Sequence, residues 1–255
     1  MAGGEGFQVA DLNWLTLAYI FAASFVCSIF SGLSAVGGGL LLTVFLAPIV
    51  GVKAVIPVIS VYALFSNTSR VFVYRRWLAW RKIWPLMIPM VPALVIGAKI
   101  YIELDARMIA VILACVLFIS VPGRRLMHRR QIEVGPKGLA VAGAVFGVYS
   151  GAAIGGGLIL IPVLMGAGFF GQAVVAIDAM IGIVVNVTRV VMFGFHDLMN
   201  LNYVLAGALA GIAAFPASMI ARWVLNRTSL RVHTVAMEVL LIVAGFYFLW
   251  KAYAG

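Results

Sequence analysis

The chain has 255 residues, of which 64% are hydrophobic and 10% charged, and carries a formal net charge of +10 at pH 7. This composition lies far outside the soluble range, and apolar runs of spanning length predict an all-α polytopic membrane protein. The positive charge does not indicate nucleic acid, because the basic residues fall in clusters between the apolar runs, as in a membrane protein obeying the positive-inside rule.

Residues 1–13 hold Glu5 and Asp11 where a cleaved signal peptide would be basic, so a short extracytoplasmic N-terminus is expected. Five apolar segments follow, at 14–30, 40–50, 53–74, 83–103 and 105–123. Between the first two stand Ser31-Gly32 and the triplet Gly37-Gly38-Gly39. The loop at 75–82 is basic through Arg75, Arg76, Arg81 and Lys82, and the turn at Glu103 and Asp105 is acidic. Residues 124–137, with Arg124, Arg125, Arg129, Arg130 and Lys137, read as a basic cytoplasmic linker.

The second half repeats the order, with segments at 138–149, 158–170, 173–195, 202–223 and 231–251. Its first break carries Ser150-Gly151 and the triplet Gly155-Gly156-Gly157. With 27 glycines in the chain, chance would give about 0.3 triplets on the chain's own composition. Asn67 and Arg70 recur as Asn186 and Arg189, Pro92 as Pro216 and Arg107 as Arg231, so the chain reads as repeat 14–123 followed by repeat 138–255. Matching loops have opposite charge character, and both termini are expected outside. The expected fold is therefore two inverted five-segment repeats forming one transport domain.

The segments at 40–50 and 158–170 are about 15 to 20 Å long as helices, against a hydrocarbon core of about 30 Å. They are expected to be interrupted or re-entrant half-helices meeting near the bilayer midplane. Ten crossings, or six crossings with two hairpins, satisfy the charges equally. Inverted repeats with broken helices are a common construction of secondary transporters, with the substrate at the repeat interface.

Helices starting at Gly39 and Gly157 would aim unpaired backbone N–H groups at the breaks, which suits an anion. The alternative use of such glycines is close helix packing. Asn67 and Arg70, like Asn186 and Arg189, share a helix face at i,i+3 and offer amide and guanidinium donors to an oxyanion. Arginines this near segment ends can instead snorkel to the headgroups. Asp178, in mid-segment with its repeat counterpart near Ser60, is a gating or proton-coupling candidate, or else a partner in an ion pair. The candidate substrate-binding set is thus Ser31, Gly37, Gly38, Gly39, Asn67, Arg70, Ser150, Gly155, Gly156, Gly157, Asn186 and Arg189.

Enzyme chemistry is not expected: there is no HExxH, no Gly-x-Ser-x-Gly and no histidine pair at ligand spacing. No catalytic residue, metal or cofactor is assigned. Cys27 and Cys115 lie inside apolar runs and read as packing residues.

The two Ser-Gly to Gly-Gly-Gly breaks, the prolines Pro48 and Pro162 after them, the Asn and Arg elements, and the stretches near Pro92 and Pro216 resemble the sulfite exporter TauE/SafE family of anion permeases over about residues 14–250. The resemblance implies a bacterial inner-membrane exporter of sulfite, sulfoacetate or related organosulfonates. Its partners would be a small anionic substrate and the lipid bilayer, with a homo-oligomer left open. A carrier of carboxylate or phosphate, or an anion channel, would use the same donors. The first break departs from the second by one extra residue between Ser-Gly and the triplet, so the two half-sites need not bind alike.

Overall fold

The computed structural model describes residues 13–34, 38–127 and 133–225, together with 239, 242–243, 245–250 and 252–253. Every regular element among the described residues is helical: α1 (Trp14–Ser34), α2 (Gly38–Val50), α3 (Val52–Tyr74), a 3-10 turn (Arg75–Trp77), α4 (Trp80–Glu103), α5 (Ala106–Met127), α6 (Pro136–Ala152), α7 (Gly157–Gly166), α8 (Gln172–Phe195) and α9 (Leu201–Leu225). Helical backbone returns at 245–250.

Local chemistry accounts for several helix starts. Asn13 accepts from the Thr16 amide at 2.8 Å, Asp105 from the Met108 amide at 2.7 Å and Asn200 from the Tyr203 amide at 2.9 Å. Each side chain thereby satisfies an amide that its helix leaves unpaired. Asp105, part of the acidic turn in the sequence, is thus a helix cap. Pro136 stands at the first position of α6, where a missing N–H costs nothing. Gly51, at φ +80°, is the sole residue between α2 and α3 and turns the chain in a conformation L side chains rarely adopt.

The helices differ from the apolar runs mainly at their ends. α1 continues to Ser34 and α6 to Ala152, so both Ser-Gly pairs lie inside helices, with the breaks after them. α5 runs on to Met127, through Arg124 and Arg125 of the expected linker. α7 stops at Gly166, before the apolar run is exhausted. Hydropathy does not mark where a helix ends inside or beyond an apolar run.

Three helical stretches among the described residues are long and apolar enough to cross a membrane: Val52–Trp77, Trp80–Glu103 and Gln172–Phe195. Their outer surfaces carry large exposed apolar side chains, among them Phe72, Ile88, Ile96, Val187 and Phe195. Such a surface is stable only against lipid or protein, and the chain is a multi-pass helical membrane protein. α2, with 13 residues, and α7, with 10, span about 20 and 15 Å at 1.5 Å per residue, too short to cross alone.

Helix packing joins elements distant in sequence. α4 lies against α6, α1 against α9 and α3 against α8. On α6, Gly143, Gly147 and Gly151 form a stripe at four-residue spacing. Side chains there would collide with the backbone of α4 at Leu86, Met90 and Leu94. Such small-residue stripes let membrane helices approach backbone to backbone. Between α1 and α9, the Ser24 hydroxyl donates to the Ala210 carbonyl at 2.5 Å. Two apolar cores result. One is built mainly from α1, α2, α3, α5 and α9, and the other from α4, α6, α7 and α8.

Candidate functional site

The second break is ordered by its own residues. The Ala153 amide makes the last α6 bond, to the Tyr149 carbonyl at 2.8 Å. The backbone then turns extended at Ala153. Gly155 takes φ +94°, a conformation costing a side-chain-bearing residue about 1–2 kcal/mol, and α7 begins at Gly157. The Tyr149 hydroxyl reaches over the gap and donates to the Ile154 carbonyl at 2.9 Å.

Arg189 comes from α8 and closes the end of α6. Its Nη2 donates to the carbonyls of Ser150 and Ala153, acceptors that the ending helix leaves open. A cation at a helix C-terminus is also favoured by the dipole. The side chain is 4% exposed, and its Nε has no hydrogen-bond partner. The Ser150 hydroxyl, 2% exposed, is likewise unpartnered and lies 2.5 Å from where a Cβ on Gly156 would sit. Two buried polar groups are thus left open beside the N-terminus of α7.

The start of α2 meets the second break directly. A Cβ on Gly39 would lie 3.8 Å from Ile154, and one on Gly155 would lie 3.1 Å from Leu40. The starts of α2 and α7 therefore converge. Between them and the α3–α8 crossing is a cavity of about 160 Å³, lined from both halves by Gly39, Asn67, Arg70, Ser150, Gly155, Gly156, Gly157, Asp178, Asn186 and Arg189. It is well under the roughly 300 Å³ or more of a drug-sized site. Gly38 opens α2. Gly37 and the Ser31 side chain lie outside the described residues.

The α3–α8 crossing brings both asparagines to Gly182. A side chain at Gly182 would strike the Asn67 amide, and Asn186 Nδ2 donates to the Gly182 carbonyl at 2.6 Å. Arg70 sits at the same crossing with its side chain 34% exposed. Its Nη1 is 3.8 Å from Asp178 Oδ2, and its Nη2 donates to the Ser66 hydroxyl at 3.4 Å. The Asp178 carboxylate thus faces Arg70, a contact compatible with both of its readings, the gating or proton-coupling group and the ion-pair partner.

Sequence reasoning missed Tyr62, Ser66 and Gly182 among the lining residues. The Tyr62 hydroxyl is 3.0 Å from Ser28 Oγ. Ser66 and Gly182 were within reach of a helical argument, since each is one turn before a candidate on the same face: Ser66 before Arg70 and Gly182 before Asn186. Among the described residues no group of three or more His, Cys, Asp or Glu side chains is placed to hold a metal.

A family model described as Sulfite exporter TauE/SafE matches residues 20–248. The chain belongs to that family. Its match runs from α1 into the C-terminal helical segment and so includes both breaks, both arginines and the cavity. As a TauE/SafE protein it is a membrane transporter of a family defined by sulfite export. No curated protein and no solved structure matches it.

Proposed function

We propose that the protein is a secondary transporter that exports small sulfur oxyanions, sulfite or organosulfonates such as sulfoacetate, across the inner membrane by alternating access. The observation that carries this reading is the pair of unpartnered buried groups, Ser150 Oγ and Arg189 Nε, in a small cavity beside the N-terminus of α7. Buried polar groups left open cost about 1–3 kcal/mol each, and an oxyanion accepts from a hydroxyl, a guanidinium and helix-terminal amides together. Arg70 and the amides of Asn67 and Asn186 supply further donors from the α3–α8 crossing.

The repeat reading assigns 1–13 to an outer N-terminus, 14–123 to one repeat, 124–137 to a cytoplasmic linker and 138–255 to the inverted repeat. Its support is the exchange of helices between cores. α9, the counterpart of α4, packs with α1, while α4 packs with α6, the counterpart of α1. α3 and α8, counterparts of each other, cross at the cavity. Alternating access would then be a rocking of the two cores about the α3–α8 crossing. Export needs no coupling ion, since a monoanion leaving a negative-inside cell gains about 2.3 kcal/mol per 100 mV.

The test is ligand-induced thermal stabilisation of the purified protein by sulfite, sulfoacetate, taurine, sulfate and simple carboxylates. A rise in Tm with a sulfur oxyanion is expected. A rise with a carboxylate and none with any sulfur oxyanion would reassign the protein to carboxylate transport.

A further inference from the structure

Asp178 breaks the match between the halves. The register that pairs Asn67 with Asn186 and Arg70 with Arg189 pairs residue 178 with Ile59, an apolar residue that also lines the cavity. Among the described lining residues the charged side chains are Arg70, Arg189 and Asp178, two cations and one carboxylate. The pair at 3.8 Å sets Asp178 against Arg70. At the second break the negative end of α6 and the positive end of α7 come together, so their dipoles largely offset. Counting side chains alone, one net positive charge remains to be balanced by whatever enters, and the positive end of α2 adds to it.

In a small site partly walled off from water, a charge left unbalanced weighs more than it does in bulk solvent, since the effective dielectric there is below that of water. A singly charged anion makes the cavity neutral. A doubly charged one leaves an excess negative charge facing the Asp178 carboxylate, and it must also compete with that carboxylate for Arg70.

Building on the proposal that this cavity binds sulfur oxyanions, we infer that Asp178 is a specificity determinant that sets the charge of the accepted anion at one. Within the sulfur oxyanions proposed as substrates, hydrogensulfite and monosulfonates with a neutral tail bind most tightly, and fully ionised dianions such as sulfoacetate bind more weakly. Asp178 acts as a tethered anion already occupying part of the site. Removing its charge converts the cavity into one suited to a dianion.

The probes are sulfoacetate and its amide, carbamoylmethanesulfonate. They are nearly the same size and differ by one negative charge at pH 8. Binding of each to the purified full chain is measured by titration calorimetry at fixed ionic strength. Wild type is expected to bind the amide at least tenfold more tightly than sulfoacetate. Asp178→Asn is expected to move that ratio at least tenfold toward sulfoacetate, and Asp178→Glu, which keeps the charge, to retain the wild-type preference. Equal or tighter binding of sulfoacetate by wild type overturns the inference whether or not any variant folds. So does an unchanged ratio in Asp178→Asn, in which case sulfonate binding itself still stands. If no sulfonate binds either protein, the reading of the cavity as a sulfonate site falls along with the inference.

Discussion

Arg189 is sealed in protein, 4% exposed, with Nη2 committed to two carbonyls at the end of α6. Arg70, at the matching position of α3, keeps a third of its side chain exposed and faces a carboxylate across the helix crossing. Both follow an asparagine by three residues, and both line one cavity. The motif places a guanidinium at the crossing, but what the guanidinium does depends on the element that meets it. Arg189 meets an open helix end and holds it, whereas Arg70 meets Asp178, a contact with energetic worth only as large as water and neighbouring charge allow.

This difference sorts the expected effects of substitution. Arg189→Ala should have the largest, because it strips the donor from two buried carbonyls at about 1–3 kcal/mol each. A clear fall in Tm and loss of any sulfonate-induced shift are expected. Arg189→Lys separates the two roles: an ammonium can still serve the α6 carbonyls but offers no Nε to the cavity. It should recover most of the Tm and none of the ligand shift. If Arg189→Ala melts with wild type, the arginine does not hold the break, and the contrast with Arg70 disappears.

A smaller effect is expected at the backbone that Arg189 supports. Gly155→Ala forces a side chain onto φ +94°, costing about 1–2 kcal/mol, and brings a methyl to 3.1 Å from Leu40 on α2. Thermal melts should show a loss intermediate between those of Arg189→Ala and Arg70→Ala. Because Leu40 stands in the first turn of α2, the variant also tests whether α2 and the second break are held together. No change in stability would mean that the turn at Gly155 relaxes freely, and the convergence of α2 and α7 would lose its structural basis.

Much of this architecture was legible in the sequence, for identifiable reasons. Long apolar runs bounded by charges or by glycines mark helices in a membrane protein, so α3, α4 and α8 fall close to their expected spans. The glycine triplets marked the breaks because backbone at membrane depth leaves a helix only where small residues and protein cover allow it. Other features depend on contacts through space. Gly151 belongs to the same Ser-Gly pair as Ser150, yet it packs on the α4 backbone while Ser150 opens toward the cavity. Nothing in the residue types separates these uses. The partner of Arg70 was equally hidden, because Asp178 lies on a helix of the other half, and a side-chain distance is not encoded in spacing. The carbonyls held by Arg189 were hidden more deeply, since any residue type carries them.

Arg70→Ala should have the smallest effect on folding. A partly exposed pair at 3.8 Å is too long for a hydrogen bond, and exposed pairs are typically worth under about 1 kcal/mol. The melting temperature of the ligand-free protein should therefore stay close to wild type. Sulfonate affinity should nonetheless drop at least tenfold, because one of the two cations in the cavity is gone and Asp178 is left facing the anion without its partner. Stability near wild type with weakened binding would distinguish Arg70 from Arg189, whose removal should damage both. A large loss of stability would instead mean that Arg70, like Arg189, holds the fold, and that the two halves use their arginines alike.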